Sequence, residues 1–319
     1  MANEFDLIAR YFSRPAPDGY LGVGDDCALL TVSPGHQLAT STDLLIEGRH
    51  FFADVDPHSL GHKALAVNLS DLAAMGSQPL ACLLSLSLPH IDHRWLAAFS
   101  DGFYALADEA QCPLVGGDTT RSVSGIVISV TVMGQVETGQ ALRRDAARPG
   151  DDIWVTGTLG AAHIALRLLQ GSLPPNARLL KATRAALEMP MPPTRFSQRL
   201  AGLAHAALDI SDGLAQDLGH ILAASRCGAR LHYPALPVDP ALASLDDSVL
   251  RDAVMCGGDV YQLCFTAAAA DRQRILALAS NESVRATRIG SILAGQGLTV
   301  LGADDQPVAL PVAGFDHFS

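Results

Sequence analysis

Lysine is almost missing from this chain: of 22 basic residues only Lys63 and Lys181 are lysines, and 33 acidic residues leave a formal charge of −11. A phosphate-tracking surface needs the opposite balance, so nucleic acid is not an expected partner. Glutamate is scarce as well, with 6 residues against 27 aspartates. Aromatics are only 5%, so the core has to be built from Ala, Leu and Val. The six cysteines form no CxxC pair and no zinc-type spacing, as expected of reduced, mostly buried thiols. No uncharged apolar run reaches about 18 residues, and the start Met1-Ala-Asn-Glu-Phe-Asp6 has no basic segment leading into an apolar one. A membrane span and a secretory signal are therefore not expected, and the cytoplasm is the expected compartment.

Several catalytic signatures are absent too. There is no GxxxxGK[ST], no GxSxG and no HExxH, and Gly22-Val-Gly-Asp-Asp-Cys27 lacks the third glycine of a dinucleotide fingerprint. A P-loop, a serine-hydrolase elbow, a zincin and a Rossmann site are excluded on that ground.

What is there is a large apolar inventory, 49% of 319 residues, enough for two domains at roughly 100–200 residues each. Periodicity predicts strands at Gln37–Asp43, Leu80–Leu88, Leu114–Val115 and Ser124–Val136. It predicts helices over Gly61–Met75, stopping at Gly76, and His93–Ala110. Composition changes at Arg148-Pro-Gly-Asp-Asp152, turn chemistry that places the boundary between domains 1–147 and 148–319. Beyond it, strands are expected at Ile153–Thr156, Ala207–Ile210, Val260–Phe265 and from Ala286 onward. Helices are expected at Ala161–Leu169, Gly213–Ser225 and Asp271–Ala279, with loops at Pro174-Pro175 and Met189–Pro193. Strands and helices mixed in both halves make this an α/β or α+β protein with mixed sheets.

The aspartates cluster where apolar runs end: Gly22-Val-Gly-Asp-Asp26, Ser41-Thr-Asp43, Gly116-Gly-Asp-Thr-Thr120 and Asp209-Ile-Ser-Asp-Gly213. A fifth, Asp71, stands in the apolar helix beside Leu69, Leu72, Ala73 and Ala74, where a carboxylate is costly unless satisfied. Each alone reads as a cap or turn residue. Five together point to hard, oxygen-seeking cations such as Mg²⁺. The neighbouring glycines leave backbone N–H groups open to phosphate, which points to a Mg–nucleotide site. His50, beside Arg49 and Phe51, is either a substrate contact or a packing residue.

These motifs, with Lys63-Ala-Leu-Ala-Val-Asn-Leu-Ser-Asp-Leu-Ala-Ala-Met-Gly76 and Gly257-Gly-Asp259, stand in the order seen in one family. The chain resembles the thiamine-monophosphate kinases, within the ATP-binding superfamily that includes aminoimidazole ribonucleotide synthetase. The resemblance runs from Phe5-Asp-Leu-Ile-Ala-Arg-Tyr-Phe12 to Phe315-Asp-His-Phe318. It implies a two-domain aminoimidazole ribonucleotide synthetase-like fold whose N-terminal domain pairs with its twin in a homodimer. It also implies Mg²⁺-dependent transfer of the ATP γ-phosphoryl group to thiamine monophosphate. By position, Asp26, Thr42, Asp43, Asp71, Asp118, Asp209 and Asp212 match the family's metal residues. Gly117, Asp118, Arg144 and Ser211 match its ATP contacts, and His50 and Asp259 its substrate contacts.

The acceptor such a kinase would use is a phosphate monoester, largely dianionic at neutral pH because its second pKa is about 6. It needs no general base, so no catalytic acid or base is expected. The expected chemistry is direct in-line transfer with metal ions offsetting charge. The chain departs from the usual Gly-Gly-Glu-Asp-Tyr-Glu-Leu with Gly257-Gly-Asp-Val-Tyr-Gln-Leu263, and Val312 stands where a substrate-covering aromatic is common. The alternatives are another ATP-dependent synthetase of the superfamily, a nucleotide phosphohydrolase, or an idle nucleotide-binding module. Selenophosphate and hydrogenase-maturation enzymes rely on a cysteine near a terminus, and here none precedes Cys27 or follows Cys264.

Overall fold

The computed structural model describes residues 4–24 and 27–309. Asp26, Val312 and the Phe315–Phe318 motif lie outside the described residues. The chain divides into two compact units, Met1–Leu72 with Ser77–Gly139, and Ala73–Gly76 with Gln140–Ser319. The turn at Arg148–Asp152 lies inside the second.

In the first unit a short helix α1 (Glu4–Leu7) runs into one π-helical turn at Ile8–Phe12. A four-stranded mixed sheet follows, with β1 (His36–Ile46), β2 (Gln78–Leu88), β3 (Leu114–Arg121) and β4 (Val127–Glu137) in the order β1-β4-β2-β3. Only the β2–β3 pair is parallel. Helix α2 (Pro57–Ala74) opens with proline, whose missing N–H costs nothing at a first helical position. It closes where Gly76 takes φ +66° and Ser77 N–H reaches back to Leu72 O at 2.9 Å. From Leu60 to Ala74 only Asp71 escapes full burial, so α2 is a core helix on all sides. Helix α3 (His93–Ala110) starts on Asp92, whose carboxylate accepts the N–H groups of Arg94 and Trp95 at 2.8 and 3.2 Å.

The expected short strand at Leu114–Val115 runs on through Gly116-Gly-Asp to Arg121, because parallel pairing with β2 continues to Leu88. Glycine is required within it: a Cβ on Gly117 would lie 1.8 Å from Leu84 O. The long alternating strand begins at Val127 rather than Ser124, since Ser122 Oγ closes a turn on Gly125 O at 2.6 Å.

The second unit is built on a six-stranded sheet in the order β10-β7-β9-β5-β8-β6. Its strands are β5 (Asp151–Thr156), β6 (Ala204–Asp209), β7 (Gly228–His232), β8 (Leu263–Ala268), β9 (Ala286–Leu293) and β10 (Gly297–Leu301). All pairs are antiparallel except β10–β7. Central β5 is buried along its whole length. Helices α4 (Ala161–Leu169), α5 (Ala177–Glu188), α6 (Thr194–Gln198), α7 (Leu214–Ser225), α8 (Asp247–Met255) and α9 (Arg272–Asn281) complete the unit. Leu214, Leu218, Ile221 and Leu222 of α7 pack at helical spacing into a core with Ile153, Val155 and Leu208. A second core gathers Trp154, Phe196, Phe265 and Ile275.

The strand expected at Val260–Phe265 is corrected: residues up to Gln262 are irregular and pairing begins at Leu263. Asp259 and Tyr261 adopt left-handed φ values of 58° and 52°. Their N–H groups bond to Ser211 O and Ile210 O, at 2.9 and 2.8 Å, rather than to a ladder.

Candidate active site

Two aspartates meet in the first unit. Strand alternation sends Ser41 and Asp43 to the side of β1 that faces α2. On α2, Asn68 and Asp71 lie three residues apart, on one helical face. Asn68, 1% exposed, accepts the Asp43 backbone N–H at 2.9 Å and donates to Ala64 O at 3.0 Å. Ser41 Oγ donates to Asp71 Oδ2 at 2.5 Å. Burial first, and then the Asp71 charge, pushes the Asp43 carboxyl up from 3.8 to about 6.

Thr42 and Asp118 do not join that pair. Thr42 lies on the other face of β1, donating to Val130 O at 3.1 Å and accepting from Thr131 Oγ1 at 3.0 Å. Register runs from Asp118 through Ser85 and Ser129 to Leu44. In-register residues share a sheet face, so the exposed Asp118 points to the same side as Thr42. Gly117 precedes it, exposed, with its backbone bare of any side chain. His50 sits in the loop after β1, where Ile46 N–H donates to its Nδ1 at 3.0 Å. The ring proton is therefore on Nε2.

The second unit brings Asp209, Ser211, Asp212 and Asp259 together. Asp209, 6% exposed, ends β6. The next residues form a loop whose three successive N–H groups, of Ser211, Asp212 and Gly213, all point at Asp217 Oδ2, each at 3.0 Å. Burial, the largest influence, pushes the Asp217 carboxyl up to about 6 although these bonds pull the other way. Gln216 Nε2 donates to Asp212 Oδ2 at 3.2 Å. Asp259 is tied to the same loop by its N–H on Ser211 O, and Tyr261 Oη donates to its carboxylate at 3.2 Å. Glycine at 258 is obligatory, since a Cβ there would lie 2.4 Å from Ser211 O. Arg144 is exposed, its carbonyl held by Ser225 Oγ at 2.8 Å. Its neighbour Arg143 is occupied by Asp145, through two bonds of 2.8 and 2.7 Å.

Ser41, Asn68, Asp217 and Tyr261 shape the site without having been expected in it. Asp217 did carry a signal, a carboxylate on the apolar face of a helix otherwise lined by Leu214, Leu218 and Ile221. The departure at Gln262 also has a local explanation. Its Oε1 accepts from Thr156 Oγ1 at 2.7 Å while its Nε2 donates to Met191 O at 3.0 Å, which an amide can do and an ionised carboxylate cannot.

Among the described residues no group of three or more His, Cys, Asp or Glu side chains is gathered to hold a metal. Paired carboxylates suit Mg²⁺ all the same, because that ion keeps several waters and is held by one or two carboxylates plus substrate phosphates. The mutual repulsion of Asp43 and Asp71 is what a bound cation would relieve.

Residues 24–136 match the family model of the AIR synthase related protein, N-terminal domain, and residues 148–302 that of the AIR synthase related protein, C-terminal domain. The thiamine-monophosphate kinase of Salmonella typhimurium is 42% identical over 99% of this chain and 98% of its own. The crystal structure of thiamine-monophosphate kinase from Stenotrophomonas maltophilia superimposes with a TM-score of 0.84 at 46% identity, covering 92% of this chain and 93% of the other. A structure described as AaThiL complexed with AMPPCP and TMP gives 0.77 at 30% identity, over 91% and 90% of the two chains. The chain belongs to the thiamine-monophosphate kinase family, built from two AIR-synthase-related domains.

Proposed function

We propose that this chain transfers the γ-phosphoryl group of ATP to thiamine monophosphate, giving thiamine diphosphate and ADP. The observation that carries the reading is full-length similarity to kinases of that name, joined to the half-buried or buried settings of Asp43, Asp71, Asp209 and Asp212. The AaThiL relative holds a nucleotide analogue and TMP together, which supports ATP and thiamine monophosphate as the two ligands here. The cytoplasm is the proposed compartment, where ATP is available and six free thiols stay reduced.

In this reading Asp43 with Asp71 in the first unit, and Asp209 with Asp212 in the second, would hold Mg²⁺, and Asp26 is a further proposed metal residue by its place in the motif Gly22-Val-Gly-Asp-Asp26. Bound Mg²⁺ would neutralise phosphate charge that otherwise keeps two polyanions apart. Asn68 and Ser41 keep the first carboxylate pair oriented. Gly117 presents its bare backbone and Ser211 its hydroxyl as the proposed nucleotide contacts, and Arg144 offers a guanidinium suited to a phosphate oxygen. His50 and Asp259 are the proposed acceptor contacts. Transfer is direct and in line, since a phosphate dianion attacks without a base.

A homodimer through the first unit is part of the proposal. The face of β1 that carries Thr42 also exposes Leu38, Leu44 and Ile46 at 54%, 50% and 38%. A row of apolar residues on an edge strand is an association surface unless covered. A light-scattering mass measurement on wild type and Leu44→Asp tests it, with a dimer expected for the first and a monomer for the second.

The activity test is a product assay with MgATP and thiamine monophosphate, and separately with free thiamine. Thiamine diphosphate formed from the monophosphate alone is the expected result. ADP released equally without acceptor would make the protein a phosphohydrolase. Radiolabel from γ-labelled ATP remaining on the protein without acceptor would overturn direct transfer.

A further inference from the structure

Ser211 is held from both sides. Its N–H goes to Asp217 Oδ2 at 3.0 Å, and its carbonyl accepts the Asp259 N–H at 2.9 Å. Asp217 also takes the N–H groups of Asp212 and Gly213, so one carboxylate oxygen sets three consecutive peptide planes. Its own place is fixed by α7, where its N–H bonds to Gly213 O at 2.9 Å and the residue is 4% exposed. The Gly257-Gly258 segment threads through a gap that a side chain would fill: a Cβ on Gly257 would lie 2.5 Å from His163 Cβ, and one on Gly258 2.4 Å from Ser211 O. Shifting Ser211 therefore shifts Asp259 with it.

A loop entering a helix N-terminus ordinarily offers its N–H groups outward, to anions. Here those of residues 211–213 are turned inward and consumed, which leaves the Asp209 and Asp212 carboxylates as the loop's ionic groups. Asp217 thus suits the loop to a cation.

We propose that Asp217 is a positioning residue that holds the Asp209–Asp212 loop and Asp259 in one register, coupling metal binding to acceptor binding through Ser211. The inference rests on the reading of Asp209 and Asp212 as metal residues and Asp259 as an acceptor contact. Asp217 itself touches neither ligand.

The test compares wild type, Asp217→Ala and Asp217→Asn, reading Mn²⁺ affinity by electron paramagnetic resonance, the KM for thiamine monophosphate, and thermal unfolding. In folded Asp217→Ala, Mn²⁺ affinity falls and acceptor KM rises together, each by about 10-fold or more. Asn keeps an acceptor oxygen for the three N–H groups, so both values return to within about 3-fold of wild type. A purely structural Asp217 would instead lower unfolding temperature and active fraction while leaving KM and Mn²⁺ affinity unchanged, and that result overturns the proposal. Should the Ala variant not fold, hydrogen exchange on wild type still decides: slow exchange at Ser211, Asp212 and Gly213 is expected, and rates of an open loop overturn the clamp. Wild type without turnover of thiamine monophosphate would sink the kinase reading, while exchange and Mn²⁺ binding would still judge the clamp.

Discussion

Asn68 on α2 takes the backbone N–H of Asp43 on β1 at 2.9 Å, while its own amide is anchored to Ala64 O one helical turn back at 3.0 Å. The strand position of one carboxylate is thus tied to the helix that carries the other, Asp71. Asn68→Ala strands a poorly solvated N–H and releases that tie. We expect a loss of about 1–3 kcal/mol in unfolding free energy together with weaker Mn²⁺ binding, read by denaturant titration and metal titration. Stability lost with metal affinity intact would mean that Asn68 only braces the fold.

The Asp43 carboxyl makes metal-free protein sensitive to pH. Its native value of about 6 lies above the ordinary 3.8 because of burial and then Asp71. The native state therefore binds this proton more tightly than the unfolded chain does. The resulting stabilisation is complete below about pH 4 and is lost as pH rises through 6. In EDTA, Asp43→Asn should melt higher than wild type at about pH 7.5, by an amount of order 1–3 kcal/mol, and the gain should vanish toward pH 4. Adding Mg²⁺ at the higher pH should narrow or reverse the order, since only wild type keeps both carboxylates. Melting curves across pH check this, and a gain independent of pH would refute the assigned titration.

Much of this architecture is written in local patterns. Pro57 and Gly76 bracket α2, and Asp92 opens α3, as their residue types dictate. The Gly257–Gln262 segment misleads because Val260 and Tyr261 imitate a strand. Its left-handed turns are imposed by bonds to Ile210 and Ser211, about 50 residues away in the chain, and no local composition announces them. Helices α5 and α8 are masked in the sequence for another reason: one follows the Pro174-Pro175 loop, and the other begins among Asp246 and Asp247, where turn chemistry dominates. The aspartate motifs were each legible. Which of them meet was not, because that depends on strand register across β1, β4, β2 and β3.

Gln262 links Thr156 to the proline-rich stretch around Met191. Restoring the family's usual residue, Gln262→Glu, keeps the acceptor for Thr156 Oγ1 but sets a carboxylate oxygen against the Met191 carbonyl. We expect a loss of about 1–2 kcal/mol at neutral pH and faster proteolysis around residues 189–193. The loss should shrink below about pH 4, where a protonated Glu can donate again. Unchanged proteolysis and melting would show that the bond to Met191 holds nothing in place.

The sharpest test of the site follows from the two faces of β1. Adjacent strand residues point oppositely, so Thr42 and Asp43 cannot both turn their side chains toward Asp71. The Thr42 hydroxyl is spent on Val130 O and on Thr131 of β4, among partners that carry no charge. Thr42→Val keeps the shape and the strand preference while deleting that hydroxyl. It should bind Mn²⁺ within about 3-fold of wild type, whereas Asp43→Asn should lose more than about 10-fold, because affinity follows the charge of the ligand set. Any defect of Thr42→Val should appear instead in dimer dissociation, since its face of β1 carries the exposed Leu38, Leu44 and Ile46. Metal titration and a mass measurement on the same two variants separate the faces. A Thr42→Val protein that loses metal as Asp43→Asn does would place the hydroxyl at the ion and contradict the alternation.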